Sequence, residues 1–415
     1  MSDVSPTLGI NEQIHALRAS GRDIVHLGFG QSPFPPPKRV IDTLRDNAGE
    51  SAYLPVAGLP DLRAAVADHQ QRLTGIDADQ FHVMIAPGSK LILFAAQMAI
   101  EGDLLLPKPS WVSYAPQARM LKQRVAWVPT LLNDHNHVIA DSDLSKTLQE
   151  ARKQGLNPTK LLINFPNNPT GLTITEDNLK AIAAFCVAND ITLISDEIYG
   201  RVAFDNVYRS AALHAPEHTI VSTGLSKHLS IGGWRLGVGL VPKSKPELWE
   251  RLQHIASETW SCVAAPVQIA AIQAYLGHDD VEADIHDSTA IHAAVTTHLA
   301  TQLQATGVNC PLPAGGFYVW PDFGPVLRSR FETSIELSRA LLELHNVASL
   351  PGISFGEADA ALRLRLAACD YDGGAALLRY RQRDADDASL TISDLVPELS
   401  GGTEQLCAAV KALVN

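Results

Sequence analysis

One stretch of the chain decides its fold class: Ser222-Thr-Gly-Leu-Ser-Lys227-His-Leu-Ser-Ile-Gly-Gly-Trp-Arg235-Leu-Gly-Val-Gly239. Lys227 stands just past the end of an apolar strand, and Arg235 follows it among glycines. A lysine in a poorly solvated cleft loses its free pKa of about 10.4 and becomes a nucleophile suited to Schiff-base chemistry. Arg235 can clamp a phosphate with two hydrogen bonds. Taken alone, the stretch fits a surface lysine and a structural arginine equally well.

Two further polar loops lie upstream, and each follows an apolar strand. They read Asn164-Phe-Pro-Asn-Asn168-Pro-Thr-Gly171 and Ser195-Asp196-Glu-Ile-Tyr199-Gly200. Open α/β sheets bind their ligands at the carboxyl ends of strands. By itself the first loop fits a turn, and Asp196 fits a helix cap. Three such loops at one sheet edge favour a shared ligand site.

The middle of the chain alternates short β-branched runs with helical periodicity, which predicts an α/β fold with a mainly parallel sheet. The predicted strands are 81–85, 104–106, 125–128, 160–164, 192–195, 219–222 and 236–241. Their near-continuous apolar character suits strands buried on both faces. The predicted helices between them are 91–100, 143–154 and 175–189.

The C-terminal part has a different pattern. Long helices are predicted over 246–303, and the segments 315–320 and 362–367 are predicted to be strands of a second, smaller sheet. Residues 371–394 mix Arg and Asp without periodicity, which predicts a solvated excursion.

Composition excludes several classes of protein. The 415 residues carry 33 Lys and Arg against 45 Asp and Glu, a net charge of −12 without a dense basic cluster, so we expect no nucleic-acid partner. The longest apolar run, 91–100, is about half of the ~20 residues that a membrane span needs, so we expect no membrane partner. The start of the chain resembles neither a signal nor a transit peptide, which predicts a cytoplasmic protein. Five scattered cysteines predict reduced thiols with neither disulfide nor metal.

Together, Asn-Asn-Pro-Thr-Gly at 167–171, Ser-Asp-Glu-Ile-Tyr at 195–199 and Ser-Lys-x6-Trp-Arg-x-Gly at 226–237 resemble the fold type I pyridoxal-phosphate aminotransferases, the aspartate aminotransferase superfamily. The resemblance runs from about residue 10 to residue 370. It implies a large cofactor-binding domain (36–285) with a seven-stranded, mainly parallel sheet and a small α+β domain from both chain ends (1–35 and 286–415). The implied reaction moves an amino group between an L-amino acid and a 2-oxo acid by a ping-pong mechanism.

The resemblance also implies roles around the cofactor ring. Lys227 would form the Schiff base with the cofactor aldehyde and then shuttle the substrate proton. Asp196 would keep the pyridine nitrogen protonated, so that the ring accepts electrons. Asn168 and Tyr199 would hydrogen-bond the phenolic oxygen, and Trp111 would stack on the ring.

The cofactor phosphate is expected at the start of the helix predicted over 91–100, where free N–H groups and the helix dipole attract an anion. The residues matched to this end are Gly88, Ser89, Lys90, Ser226 and Arg235. Tyr53 matches a tyrosine that reaches the phosphate of the neighbouring subunit, which implies a homodimer. Position 224 departs from the family pattern, because it is glycine where many relatives place Ser or Thr; Ser222, Thr223 or Ser226 would substitute, or Arg235 with Ser89.

The residues matched to the substrate are Gly30, Trp111, Asn168 and Arg363. Arg363 and Arg365 are two apart on a predicted strand and face the same side, so alternation does not choose between them. The spacing to Ala367 in the family motif favours Arg363 for the α-carboxylate. Lys90 matches a lysine that meets the distal carboxylate of a dicarboxylate, so glutamate or aspartate is the expected donor.

Two other functions use similar sequences. A carbon-sulfur β-lyase or another α,β-eliminating enzyme shares the same lysine, aspartate and arginine set. A non-catalytic regulator with an aminotransferase-like domain carries an N-terminal DNA-binding domain, whereas only a short segment precedes Leu27 here. The segment 371–396, which separates the Arg363 strand from the last helix, is a further departure from the family pattern.

Overall fold

A computed structural model describes residues 5–383 and 391–414. Within these ranges the strands are β1 Val25–His26, β2 Phe81–Ala86, β3 Asp103–Pro107, β4 Val125–Val128, β5 Leu131–Asn133, β6 Asn136–Val138, β7 Pro158–Asn164, β8 Thr192–Asp196, β9 Thr219–Gly224, β10 Gly237–Pro242, β11 Tyr318–Val319, β12 Val347–Ala348, β13 Leu350–Pro351 and β14 Leu364–Ala367. The α-helices are α1 Pro6–Ala19, α2 Lys38–Asp46, α3 Pro60–Thr74, α4 Ser89–Ala99, α5 Tyr114–Met120, α6 Asp141–Lys153, α7 Glu176–Asn189, α8 Pro246–Thr259, α9 Ala265–Tyr275, α10 Asp279–Gln304, α11 Gly324–Leu327, α12 Ser334–His345, α13 Gly373–Gln382, α14 Ile392–Leu395 and α15 Pro397–Val414.

The main sheet has seven strands in the order β2-β10-β9-β8-β7-β3-β4. Strand β10 runs antiparallel to both of its neighbours, and the other pairings are parallel. Each strand matches a predicted one to within two residues at either end, as do α4, α6 and α7. The predicted α/β fold class, with its mainly parallel seven-stranded sheet, is confirmed.

Alternate residues of the central strands fill two separate cores. Leu162 and Ile194 are buried in one cluster with residues of α4 and α8, whereas Leu161 and Leu193 are buried in another with residues of α6 and α7. Burying each such side chain stabilises the fold by about 1.5–3 kcal/mol. The continuous apolar runs of the sequence therefore reflect a sheet covered by helices on both faces.

The smaller sheet has three strands in the order β11-β14-β13, and β1 near the start of the chain pairs in parallel with β12. Helix α10 joins the two parts, since Ile285 packs in the core beside the main sheet and Ile291 and Val295 pack in the core beside the smaller one. The domain boundaries given above stay a prediction.

The segment that follows β14 corrects one prediction. Residues 373–382 are not a solvated excursion but helix α13, whose Ala376 and Leu377 are buried in the core beside the smaller sheet. Arg381 pairs with Asp284 at 2.6 Å and with Asp287 at 2.7 Å, both on α10. The charged residues therefore form ion pairs between α13 and α10. The helix was not predicted because its sequence is short and lacks a clear apolar periodicity. Residues 384–390 of the same predicted segment lie outside the described residues.

Across the described ranges, none of the helices combines the length and apolarity needed to span a bilayer. The same ranges contain no cluster of His, Cys, Asp and Glu able to hold a metal ion.

Candidate active site

The three polar loops meet at one end of the main sheet, because the strands that precede them end level with one another. Asn164, the last residue of β7, is the register partner of Asp196, the last of β8, and Asp196 is in turn the partner of Ser222 on β9. A cleft of about 440 Å³ opens at this end. The predicted site residues that line it are Gly30, Ser89, Lys90, Trp111, Asn168, Asp196, Tyr199, Ser226, Lys227 and Arg235, whereas Gly88, Tyr53 and Arg363 do not.

Lys227 presents its amine to this cleft from the loop after β9. Its Nζ lies 3.5 Å from the Gly30 carbonyl oxygen, which is the limit of a hydrogen bond, and 5.6 and 5.7 Å from the ring centroids of Tyr199 and Phe317. Burial lowers the pKa of the Lys227 amine from 10.5 to about 8. A substantial fraction of the amine is therefore neutral near pH 7.5 and able to attack an aldehyde.

Asp196 lies at the floor of the cleft and is 3% exposed. One carboxylate oxygen accepts a hydrogen bond from the Tyr114 hydroxyl at 2.7 Å, and the other accepts one from the Ile198 backbone N–H at 3.3 Å. Burial nevertheless raises the pKa of Asp196 to about 6, the two hydrogen bonds opposing the shift. A cationic ring N–H beside this carboxylate would stabilise its ionised form, and lone pairs remain to accept it.

Hydrogen bonds hold the backbone of Asn168 and the side chain of Tyr199 in place near Asp196. The Asn164 amide donates to the Asp196 carbonyl oxygen at 2.7 Å, and its own oxygen accepts the Asn168 backbone N–H at 2.9 Å. The Tyr199 hydroxyl lies 2.7 Å from the Tyr318 hydroxyl. Asn168 and Tyr199 are thus both buried, held in place and directed at the cleft.

The part of the cleft lined by Ser89 and Arg235 suits an anion. Helix α4 starts at Ser89 after Gly88, whose φ of 92° suits glycine, and a Cβ at Gly88 would lie 2.1 Å from Nη2 of Arg235. Arg235 is exposed, and it donates to the Gly232 carbonyl at 2.7 Å and to the Pro87 carbonyl at 3.4 Å. A Cβ at Gly237 would lie 2.1 Å from the Ser89 nitrogen, so glycine lets β10 pass the helix start. Free helix N–H groups beside an arginine suit a phosphate.

The structure also accounts for the glycine at position 224. A Cβ there would lie 2.8 Å from the Leu236 carbonyl oxygen and 3.1 Å from the Gly237 Cα on β10, so a serine or threonine has no room. Among the hydroxyl side chains considered for the phosphate, Ser89 and Ser226 line the cleft.

The choice between the two arginines of the C-terminal strand is corrected. Arg363 lies outside the cleft, where it pairs with Asp322 at 3.2 Å and Glu357 at 3.0 Å. Arg365 lines the cleft, is 1% exposed, and donates to the Gly28 carbonyl at 2.6 Å and to Asn168 Oδ1 at 3.3 Å. The reason is that β14 begins at Leu364, so Arg363 precedes the strand and does not share its alternation.

Arg365 is a buried cation held by neutral acceptors. In the part of the chain that the structure describes, no carboxylate pairs with it, and its Nε has no hydrogen-bond partner. A guanidinium in this state is ready to bind a carboxylate through two parallel hydrogen bonds.

Lys90 and Trp111 lie together on the side of the cleft nearest α4 and α5. The Lys90 Nζ is 4.9 Å from the Trp111 ring centroid, and burial lowers the pKa of the Lys90 amine. Tyr53 does not line the cleft and is 91% exposed, and its role toward a neighbouring subunit stays a prediction.

Sequence reasoning missed Tyr114 and Tyr318 as residues of the cleft, and it weighed Arg365 but favoured Arg363. Tyr114 begins α5 three residues after Trp111, and its place in the same Pro-Ser-Trp-Val-Ser-Tyr segment was a usable signal. Arg365 is flanked by the buried Leu364 and Leu366, a period-2 pattern that places it on the opposite face of β14.

The arrangement fits pyridoxal phosphate on its own geometry. An amine of lowered pKa, a buried carboxylate and an arginine beside a helix start line one cleft, and these are the groups that the aldehyde, ring nitrogen and phosphate of that cofactor require. Burial favours the neutral form of both groups, because it raises the pKa of Asp196 and lowers the pKa of Lys227. A protonated ring nitrogen would stabilise the Asp196 carboxylate, and an aldehyde would react with the neutral Lys227 amine.

Comparisons with known proteins agree with this geometry. The family model for aminotransferase class I and II matches residues 22–379. The chain is 32% identical over 367 residues to an aspartate aminotransferase of Geobacillus stearothermophilus, which covers 86% of this chain and 90% of that protein. It is 30% identical over 365 residues to an asparagine–oxo-acid transaminase of Streptococcus mutans, which covers 85% and 89%. The solved structure of the Thermus thermophilus aspartate aminotransferase with maleate superposes with a TM-score of 0.82 at 26% identity, covering 98% of this chain and 97% of that one.

The fold and the site therefore define a pyridoxal-phosphate-dependent enzyme of fold type I. The chain belongs to the aminotransferase class I and II family and is an aminotransferase, acting on amino and oxo acids as that family does. Family membership favours an enzyme over a non-catalytic regulator.

Proposed function

We propose that this aminotransferase takes a dicarboxylic L-amino acid, aspartate or glutamate, as a donor and a 2-oxo acid as acceptor, in a ping-pong reaction. The observation that carries the proposal is one cation, Lys90, in addition to the Lys227, Arg235 and Arg365 that are proposed for the aldehyde, the phosphate and the α-carboxylate. Arg365 is suited to the α-carboxylate, and Lys90 stands apart from it beside Trp111. Two separate cations match the two carboxylates of such a donor. Relatives named aspartate aminotransferase support the same donor class.

The residues of the cleft have distinct proposed roles in this reaction. When bound, pyridoxal phosphate supplies an electron sink for the substrate carbanion. Lys227 would hold the cofactor through its aldehyde, and the neutral Nζ would serve as the base for the donor Cα proton. Asp196, in its ionised form, would keep a proton on the ring nitrogen, and Asn168 and Tyr199 would hydrogen-bond the phenolic oxygen.

The remaining residues bind and orient. Trp111 would stack on the ring, and Gly30 and Arg365 would hold the α-carboxylate. The backbone N–H groups of Ser89 and Lys90, which follow Gly88 at the start of α4, would hold the phosphate together with Ser226 and Arg235. The Lys90 side chain, beside Trp111, would be left to meet a distal carboxylate.

We further propose that the active unit is a homodimer in the cytoplasm. Tyr53 is exposed on its own subunit, and Arg235 on the phosphate side of the cleft is also exposed, so a partner's tyrosine has access to the phosphate. Cytoplasmic placement agrees with five cysteines that are all free within the described residues.

The donor proposal is tested with Lys90→Ala and, as a matched control, Lys38→Ala, whose side chain is 86% exposed on α2. Losing a charge-assisted hydrogen bond of about 1.5–3 kcal/mol should lower kcat/KM for aspartate and glutamate about tenfold to a hundredfold and leave alanine and leucine unchanged. The control should change neither. An equal loss for dicarboxylic and neutral donors in Lys90→Ala would contradict the proposal.

A half-reaction assay separates transamination from elimination. Single amino acids are added to the cofactor-loaded protein, and the visible band of the cofactor is followed. We expect conversion to the pyridoxamine form with release of the oxo acid from the donor. Pyruvate and ammonia released from cystathionine without an oxo acid acceptor would favour a β-lyase instead.

A further inference from the structure

Tyr318 lies in the cleft without a role in the reaction described so far. It begins β11, pairs with Ala367 of β14 and is 2% exposed. Its hydroxyl lies 2.7 Å from the hydroxyl of Tyr199, and its ring lies beneath the guanidinium of Arg365, with 4.8 Å from the Arg365 Cζ to the ring centroid. One side chain thus touches both a cofactor-binding and a substrate-binding residue.

The hydroxyl pair has a fixed direction once Tyr199 is in use. Each tyrosine hydroxyl has one proton to donate and lone pairs to accept. If Tyr199 donates its proton to the phenolic oxygen of the cofactor, Tyr318 must be the donor between the two tyrosines. A hydroxyl that accepts a hydrogen bond donates more strongly, because successive hydrogen bonds polarise one another.

Both hydroxyls keep their protons under working conditions. Burial raises the pKa of Tyr199 well above its usual value and raises the pKa of Tyr318 to about 12. The Tyr318 hydroxyl therefore stays a donor throughout the neutral range, and Tyr199 is left with its own proton for the cleft.

The ring of Tyr318 contacts its other neighbour, the guanidinium of Arg365. Arg365 has neutral acceptors at two positions only, the Gly28 carbonyl and Asn168 Oδ1, so within the described residues no ion pair fixes its plane. The rings of Tyr318 and Phe355, whose centroid is 5.3 Å from Arg365 Cζ, supply the flanking surfaces. A guanidinium stacked on an aromatic face is stabilised in a defined plane.

The position of Tyr318 is itself tightly bounded by glycines. A Cβ at Gly30 would lie 2.2 Å from the Tyr318 hydroxyl, and a Cβ at Gly171 would lie 2.2 Å from the Tyr318 carbonyl oxygen. Gly30 borders the proposed carboxylate site, and Gly171 ends the Asn164 loop. The backbone of both loops therefore packs directly against Tyr318 and restricts the positions that its side chain can take.

We propose that Tyr318 is a positioning residue for the reaction: its hydroxyl directs the Tyr199 proton into the cleft, and its ring fixes the plane of Arg365. The inference rests on the proposed roles of Tyr199 and Arg365. The two halves use different atoms of the same side chain, the hydroxyl and the ring, and a pair of substitutions separates them.

Tyr318→Phe removes the hydroxyl and keeps the ring. The readout is a spectrophotometric pH titration of the visible band of the cofactor-loaded protein. A weaker Tyr199 hydrogen bond should move the titration midpoint up by about half to one pH unit, because the hydrogen bond favours the deprotonated chromophore. The KM for the amino donor should stay within about twofold of the native value. Tyr275→Phe is the control, since Tyr275 is a buried tyrosine outside the cleft whose hydroxyl has no partner among the described residues.

Tyr318→Leu removes the ring as well. It should show the same shift of the titration midpoint and, in addition, a KM for the amino donor about threefold to tenfold above that of Tyr318→Phe, from the lost contact with Arg365. Thermal unfolding of each apoprotein establishes that the variants are folded, and the Phe variant carries the test of the hydroxyl if the Leu variant is unstable.

The results separate failure of this inference from failure of the proposed site. A midpoint in Tyr318→Phe that moves no further than in Tyr275→Phe overturns the role of the hydroxyl, and equal KM values for the Phe and Leu variants overturn the role of the ring. A native protein whose visible band does not titrate at all overturns the proposed roles of Lys227 and Tyr199, and this inference with them.

Discussion

Replacing Arg365 by lysine tests which arginine of the C-terminal strand binds the substrate carboxylate. Arg365 is buried and has no carboxylate partner within the described residues, whereas Arg363 is already paired with Asp322 and Glu357. Lysine keeps the charge but offers neither the planar fork nor the stacked face. The matched control is Arg363→Lys, two positions away on the same segment.

The size of the effect follows from the hydrogen bonds that are lost. A bidentate guanidinium makes two parallel bonds to a carboxylate, each worth about 1.5–3 kcal/mol when charged, and lysine in the same cavity retains at most one. A loss of about 2 kcal/mol corresponds to about a thirtyfold fall in kcat/KM. In Arg363→Lys the affected ion pairs are partly exposed, so the expected cost is a stability loss below about 1 kcal/mol with kcat/KM within twofold.

The assay is the steady-state kcat/KM for glutamate and for alanine with one fixed oxo acid acceptor. Both donors carry an α-carboxylate, so Arg365→Lys should lower both values by similar factors, unlike a change at Lys90. The cofactor absorbance and thermal midpoint of each variant report whether it is folded and loaded. A thirtyfold loss in Arg363→Lys with an unaffected Arg365→Lys would refute the assignment.

Two further predictions concern the cofactor end of the cleft and the pH dependence of stability. Gly88→Ala places a Cβ 2.1 Å from a guanidinium nitrogen and should weaken cofactor binding about tenfold or more in a fluorescence titration, whereas Gly75→Ala, also at positive φ but with nothing within 4 Å, should cost stability alone. Lys227→Met should raise the thermal midpoint of the apoprotein at pH 7, because burial penalises the ammonium in the folded state. That gain should shrink between pH 8 and 10.5, where the unfolded chain still binds the proton and the native fold no longer does; a gain that stays constant to pH 10.5 would argue against a buried ammonium.

The sequence was most informative where several independent signals met. Polar loops after three apolar runs predicted a ligand site because parallel strands end at one edge, and Asn164, Asp196 and Ser222 are indeed register partners. The strands were readable because burial on both faces leaves continuous apolar runs.

Contacts between segments far apart in the sequence could not be predicted from the sequence alone. Nothing near Arg365 in the chain indicates that Gly28 and Asn168 accept its hydrogen bonds, or that β14 starts one residue after Arg363. The link from Tyr199 to Tyr318 joins residues far apart in sequence for the same reason. The charges of α13 looked solvated because their partners lie on α10, a separate element.

The most direct test of the account is to locate the covalent bond between the cofactor and the chain. The cofactor-loaded protein is reduced with borohydride, digested and mapped by mass spectrometry. We expect a pyridoxyl group on Lys227 and none on Lys90, the other lysine that lines the cleft within the described residues. A label on Lys90, or a reduced protein without any label, would contradict it.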